Sequence, residues 1–438
     1  MRRIAYFGLL LVFAMVFFLA GIKTGAVYPP ENLFNQKTSQ VGDLVSGTDQ
    51  IKESQDSEPD IRTVKLISAG NIMATETQIS QAKIDENSYD FSPSFDFISP
   101  YLQEGDLVIG DLEVSQAGPD VSYGGYSGYT GWPLFNSPQE LTDALYDAGI
   151  NIFNLANNHV LDRGYDGLMN TIDHIRGMGA ITIGAYKSSD EQEEILIIEK
   201  NGISIALIGY TYSTNGNYIP EGHEYIVNHT PEFLDISPII EDIQTAIKKG
   251  ADLVVVFAHW GAEHAHEPQP EYLRLRAEEM AQAGADLIIG GHPKWIQPLE
   301  WFFIESDDGS TRAALAAYSQ GSFLTHQYAG DGYNEVYSEY SILLDIDVTK
   351  DYHTGDTWIS DVDYEICWVN RHWRHRVLPL SAVFAASPEQ FQLNESQYER
   401  LKEISNFSKE VIELYGFSDS MNRVLSIAEE NINSIHEH

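Results

Sequence analysis

Apolar, β-type runs that break off at an amide or an imidazole recur through the middle of this chain, and helical periodicity fills the intervals between them. Residues 150–156 lead into Asn157-Asn158-His159, residues 253–258 into His259-Trp260-Gly261, and residues 287–289 into Gly290-Gly291-His292-Pro293. Short apolar runs bounded by turn residues read as buried strands, and strands alternating with helices predict an α/β fold with a largely parallel sheet. In such a sheet the crevice at the carboxyl ends of the strands binds ligands, so three strings far apart in sequence are expected to converge. A lone histidine is ordinarily a hydrogen-bonded core or surface residue. An amide and three imidazoles at three strand ends point instead to a metal or phosphate site.

The remainder of the chain keeps the same rhythm. Residues 64–69 and 107–110 read as strands, and residues 95–102, 138–148 and 166–178 as helices, with Ser137 as a cap for the second. Residues 195–198 and 203–208, joined through Asn201-Gly202, predict a hairpin. Helices over 238–249 and 271–283 lead into the strands that end at His259 and His292. Residues 314–318, 340–347 and 366–370 read as later strands, the last two in a more antiparallel region. Beyond residue 387 the chain turns helical and charged, with Leu401, Ile404, Val411, Ile412 and Leu414 as a partial apolar stripe. At 438 residues the chain is too long for one simple core.

Arg2 and Arg3 precede an apolar run over residues 4–22 that Lys23 closes. About twenty such residues cross a bilayer as a helix, and the positive-inside tendency places the chain beyond Lys23 outside the cytoplasm. The expected layout is therefore a membrane anchor at 1–23, a flexible linker at 24–62, a folded domain at 63–386 and a helical extension at 387–438. Thr24-Gly25-Ala26 faintly resembles a cleavage site, and cleavage there would make the protein secreted. The single cysteine, Cys367, excludes an internal disulfide and a thiolate zinc site. With 26 basic against 65 acidic residues the net charge is -39, which argues against a nucleic-acid partner and favours cations.

The motifs, taken in order, carry a resemblance. Ser68-Ala69-Gly70-Asn71-Ile72-Met73, Gly110-Asp111-Leu112-Glu113, the run from Tyr129-Thr130-Gly131-Trp132-Pro133 to Pro138, Asn157-Asn158-His159 with Asp162-Arg163-Gly164, His259-Trp260-Gly261, Gly291-His292-Pro293 and Tyr318-Ser319-Gln320-Gly321-Ser322-Phe323 resemble the capsule-synthesis, poly-γ-glutamate-synthesis family of the CapA or PgsA type. The resemblance extends over residues 64–347. That family is similar to the calcineurin-like metallophosphoesterases, which implies a four-layer α-β-β-α sandwich. It also implies an N-terminal anchor, a domain outside the cell, and a role beside a membrane-bound polymer synthesis complex that makes or exports an anionic capsule polymer.

The resemblance further implies a two-metal centre, from which this chain departs on one side. The positions that would hold the first metal carry Asn71, Thr75 and Lys294, all poor ligands in place of a carboxylate and two imidazoles. The second half is complete: a bridging acid, Asp111 or Glu113, with Asn158, His259 and His292. That donor set suits one divalent transition metal, zinc, manganese or iron, and makes a second metal doubtful. Lys294 either stands about where the missing cation would be or points to solvent and pairs with a surface acid. His159 matches the position of a general acid, and Asp162 either orients its imidazole or, as the loop favours, caps the following helix.

Three functional readings arise from the resemblance: an accessory protein of polymer synthesis with a reduced metal site, an active metal-dependent hydrolase of phosphoesters or related bonds, or a non-catalytic polymer-binding relative. For a polyanion, Arg371-His372-Trp373-Arg374-His375-Arg376, preceded by Trp368, offers a basic strand in which Arg371, Arg374 and Arg376 pair with carboxylates while Trp373 packs on the polymer. Otherwise those arginines neutralise nearby acids. His264 and His266 read as members of a solvated turn, and the Gly- and Tyr-rich loop 123–132 reads equally as a lid or a packed surface loop.

Overall fold

Four strands pair side by side, parallel and in chain order: β1 (Ile61–Ile72), β2 (Leu107–Leu112), β3 (Ile152–Asn154) and β4 (Ile181–Ile183). Parallel neighbours require crossovers, which run through the helices Ser99–Leu102, Glu140–Ala148 and Gly164–Gly177. The computed structural model describes residues 60–306, 309–328 and 337–435. The expected anchor at 1–23 and nearly all of the expected linker at 24–62 lie outside the described residues. Among the described residues no helix is long and apolar enough to cross a membrane.

The second sheet begins with the expected hairpin. β5 (Leu196–Lys200) and β6 (Ile203–Thr211) pair antiparallel through Asn201 and Gly202, both with positive φ (49° and 75°), the backbone a two-residue hairpin turn requires. β7 (Leu253–His259) and β8 (Leu287–Gly291) come next in parallel, and β9 (Leu299–Glu305) and β10 (Thr311–Ala317) complete the order β5-β6-β7-β8-β10-β9. The chain then returns to the first sheet. β11 (Ser322–Leu324) pairs with the end of β1, while β12 (Tyr340–Asp351), β13 (Thr357–Asn370) and β14 (Arg376–Pro379) extend it antiparallel in the order β14-β13-β12-β1-β2-β3-β4. β12 and β13 outrun the expected 340–347 and 366–370. Of the segment expected as one helix over 95–102, only Ser99–Leu102 is helical; residues 95–98 are turns that follow a 3-10 turn at Ser92–Ser94.

Period-two alternation sorts each strand's residues between two cores. Val64, Leu66, Leu107, Ile109 and Ile152 from the first sheet meet Ile205, Leu253, Val255, Phe257, Leu287 and Ile289 from the second in one buried cluster between the sheets. Val254, Val256 and Ile288 point the other way, onto Ile239 and Ile243 of the helix Ser237–Lys248 and Leu273, Ala277 and Met280 of Tyr272–Ala283. The result is the expected α-β-β-α sandwich. The helices Glu395–Ile412 and Phe417–Ile435 insert Leu401, Ile404, Ile412, Phe417 and Val424 into the inter-sheet cluster, so the C-terminal helices complete that core.

Within β13, Glu365 is buried and accepts a hydrogen bond from Ser381 N (2.9 Å) at the head of the helix Leu380–Ala385. Burial, reinforced by Asp363 and only partly countered by Ser381, lifts its carboxyl from the ordinary 4.5 to about 7. The folded chain therefore holds this proton where the unfolded chain has released it, so stability is lost as pH rises through that window. Glu365→Gln should remove a pH-dependent loss of roughly 3 kcal/mol between about pH 4.5 and 7. Urea unfolding of both chains across that range checks this; parallel pH profiles would show that Glu365 carries no such proton.

Candidate metal centre

The alternation that places Leu253, Val255 and Phe257 between the sheets places His259 there as well. The same holds for Asp111 and Glu113 after Ile109 and for Asn154 after Ile152. At the carboxyl end of each strand a polar residue thus takes the next position of an apolar stripe. Asn71 arrives by a different device, a register shift between Ala69 and Asn71 in the β1–β2 pairing, which re-aims the strand end. Beyond β8 the chain turns through His292 (φ 94°), Pro293 and Lys294 (φ 66°). Two left-handed non-glycine residues cost about 1–3 kcal/mol each, and this turn sends both side chains into one centre. Gly291 leaves room for it: a Cβ there would lie 2.6 Å from Asp111 Oδ2 and 3.3 Å from His259 Nδ1.

Glu113 and His259 are fully buried and Lys294 is 1% exposed. Lys294 Nζ donates to Glu113 Oε2, so the surface pairing considered for this lysine does not occur. Asn71 Nδ2 donates to Glu113 Oε2 (2.8 Å) and Asp111 Oδ2 (3.0 Å), and Asn71 Oδ1 accepts from His292 N (3.3 Å). Asp111 also accepts from Asn154 Nδ2 (2.9 Å) and from His259 Nδ1 (2.9 Å). Burial works to raise the Glu113 pKa, but Lys294, His259 and His159 together outweigh it and hold the carboxylate below its usual range. Burial, then His259 and Lys294, push His292 well below the ordinary imidazole value, which keeps it neutral.

With a proton on Nδ1 for Asp111, His259 directs Nε2 at Asn158 Oδ1 (2.9 Å) and toward Glu113 Oε1 (3.6 Å). The Asn158 amide is oriented by its Nδ2, which donates to Asn215 Oδ1 at 3.2 Å. Glu113 Oε1 and His292 Nδ1 are buried and have no hydrogen-bond partner. Glu113, His259 and His292 each present a ligand atom within 4.8 Å of the other two. Buried acceptors facing one another without a hydrogen between them are costly unless a cation is shared, so this set fits a divalent metal. Glu113 retains the free oxygen. Asp111, whose oxygens already accept three N–H groups, fixes the His259 tautomer. On the opposite side Asn71 and Lys294 present donors where a second metal would need acceptors, so the residues there do not fit one.

His159 adjoins this centre, and its Nδ1 lies 2.7 Å from Asp162 Oδ2. Asp162 also accepts from Phe135 N (2.7 Å) and Asn217 Nδ2 (3.3 Å); it orients the imidazole and does not cap the helix, whose head is Arg163 without a side-chain cap. Residues 371–375 form the turn between β13 and β14 and are not a strand. There Arg371 stacks on Tyr328, Arg376 pairs with Asp96 (3.3 Å) over the Trp373 ring, Trp373 packs on Phe97, and Arg374 reaches Gln81 O. Trp368 is buried with its indole N–H on Glu339, which removes it from any polymer surface. His266 is not solvated either: it lies half-buried among Trp295, Tyr337 and Phe407. The loop 123–132 is tied down at Gly128 O, to which Arg163 and Asn136 both donate, while Trp132 at its end is 77% exposed.

Asn154 and Tyr212 escaped the sequence reading. Tyr212 follows β6 directly and stands against His292 (ring centroids 4.7 Å) and His259 (6.4 Å, 12°). Asn154 lay hidden inside the apolar run read as 150–156, because β3 already ends at Asn154, and Tyr212 was missed because the strand read as 203–208 continues to Thr211.

The model of the family described as "Bacterial capsule synthesis protein PGA_cap" matches residues 65–327. The chain is 28% identical over 235 residues to the PGA biosynthesis protein CapA of Bacillus subtilis, covering 53% of this chain and 57% of that protein. It is 30% identical over 246 residues to the capsule biosynthesis protein CapA of Bacillus anthracis, covering 55% and 56%. The matches thus span little more than half the length of these relatives. Among solved structures, the calcineurin-like phosphoesterase YfkN from Bacillus subtilis aligns with a TM-score of 0.40 at 15% identity, over 74% of this chain and 95% of that one.

Removing one member of a buried ion pair strands the other in low dielectric. In chelator-treated protein Lys294→Met should therefore cost about 3–5 kcal/mol, and adding Glu113→Gln should recover most of it. Urea titration of the single and double variants measures this. A loss below about 1 kcal/mol for Lys294→Met would mean that the pair does not hold the centre.

Proposed function

The chain belongs to the bacterial capsule synthesis protein PGA_cap family, and from that membership we propose a membrane-anchored, extracytoplasmic protein that assists synthesis or export of an anionic polymer through a centre of one metal and one lysine. The carrying observation is the convergence of His259 Nε2, Asn158 Oδ1, Glu113 Oε1 and His292 opposite the Lys294 ammonium. A second proton on His259 would satisfy its own contacts and leave Glu113 Oε1 and His292 Nδ1 without partners. A divalent cation held by Glu113, Asn158, His259 and His292 satisfies all four. Neutral imidazoles, one carboxylate and an amide oxygen suit zinc, manganese or iron(II).

The charge arithmetic supports an anionic ligand. Asp111 and Glu113 bring two negative charges and Lys294 one positive, so a divalent metal turns the centre net positive within a chain of net charge -39. When bound, the metal would polarise a ligand oxygen and lower the pKa of an associated water. Lys294 remains beside it as a fixed positive charge. The names of the curated relatives, biosynthesis of a capsule or of PGA, favour a polymer or its precursor as that ligand. We assign the polymer contact to this centre because Arg376 and Trp373 are engaged with Asp96 and Phe97. The apolar run at residues 4–22 supports the anchor.

Hydrolysis of a phosphoester or related bond is the second reading, favoured by the His159–Asp162 pair. Asp162 holds Nδ1 of His159, so Nε2 is the atom at which a proton is exchanged with a leaving oxygen.

Mass spectrometry of the native protein should find about one transition metal per chain, none in the His259→Ala, His292→Ala double variant, and about two after combined Asn71→Asp, Thr75→His and Lys294→His substitution. Two metals in the unaltered chain, or one retained in the double variant, would refute the one-metal reading. Metal-loaded protein should also bind poly-γ-glutamate at least tenfold more tightly than chelated protein, and equal affinities would remove the polymer from the proposal.

A further inference from the structure

Each sheet of the sandwich ends in two edge strands, and three of the four are short: β4 has three residues, β14 four and β5 five. β9 has seven, Leu299–Glu305, and contains neither Pro nor Lys, the residues that commonly blunt an edge. Only its β10 side is paired; among the described residues no hydrogen bond reaches the backbone of the other side. A groove of about 500 Å³ is lined by all of residues 301–305, with Glu278 and Gln282 on one side and Arg423 on the other. Successive side chains of a strand point to opposite faces, so a groove touched by five in a row runs along the strand's edge. Its walls are the helix Tyr272–Ala283 and the helix Phe417–Ile435, which packs Phe417 on Trp301 and Arg423 on Phe303.

We propose that this groove receives an extended segment of another protein as an added β-strand, one in which apolar residues alternate with basic ones. The backbone edge would supply affinity, and the half-buried Phe302, Phe303 and Ile304 would accept the apolar side chains. Charge selects the basic residues: Glu278 and Glu305 are exposed and, among the described residues, form no ion pair, while Arg423 lies over the Phe303 ring. Trp301 lines the groove, and its indole N–H is buried without a hydrogen-bond partner. Two enclosing helices favour one extended chain over the broad edge of a second copy. The surface is independent of the metal centre.

Hydrogen exchange of the full chain in detergent tests the proposal, with three synthetic probes: a seven-residue peptide alternating Lys and Val, its Glu and Val counterpart, and a helical Ala and Lys peptide. The Lys/Val strand should slow exchange over residues 299–305 at least tenfold, and the other two should not. Combined Glu278→Lys and Glu305→Lys substitution, at two exposed positions, should reverse the preference to the Glu/Val strand. No protection of 299–305, or equal protection by both strands, would overturn the proposal. Protection that rises with protein concentration without peptide would overturn it in favour of pairing with a second copy.

Discussion

A fully buried carboxylate, Glu113, is the group on which the rest of the centre depends. One of its oxygens takes the Lys294 ammonium and the Asn71 amide, and the other is left facing two imidazoles and an amide oxygen. Burying a charge this deeply is tolerable only where opposite charge and hydrogen bonds surround it. The unusual backbone nearby follows from that demand. His292 and Lys294 both adopt left-handed conformations, and Gly291 lacks the Cβ that would collide with Asp111, so that the turn after β8 sends an imidazole and a counter-charge into the centre from positions two apart. The asymmetry of Glu113, donors on one oxygen and imidazoles around the other, divides the crevice into a lysine half and a half where free ligand atoms converge.

The sandwich supports this by continuing its apolar stripes into polar residues. His259, Asp111 and Asn154 occupy positions that alternation would otherwise fill with Val, Ile or Leu, and the sheet above and below keeps them dry. Much of that support lies beyond the region matched by the family. The match ends at residue 327, yet β12 pairs along β1, and Leu401, Ile404 and Phe417 of the C-terminal helices join the inter-sheet core. The C-terminal segment therefore belongs to the fold that positions the centre, whatever further role its surface has.

Strand ends were legible in the sequence because burial imposes long apolar runs and a polar residue interrupts them visibly, as at His259 and His292. The Asn201-Gly202 hairpin was legible because only a few residues tolerate its φ angles. What the sequence withheld is set by tertiary contact. Asp111 and Glu113 share one strand face, and only the approach of Asn154, His259 and Lys294 gives them different roles. Asp162 has the composition of a cap, yet Phe135 and His159 claim its carboxylate. The arginines near residue 371 look like a free basic strand because Tyr328, Asp96 and Gln81, which engage them, are distant in sequence. His266 reads as solvated for the same reason, since Phe407 arrives from a helix about 140 residues later.

The donor geometry of the crevice is the basis of the proposal that one cation sits there beside one ammonium. Anomalous X-ray diffraction from crystals grown with manganese or zinc is the most direct measurement. The account predicts a single peak, about 2.0–2.3 Å from atoms of Glu113, Asn158, His259 and His292, with Lys294 still on Glu113. Two peaks bridged by Asp111, with Lys294 swung away, would contradict it.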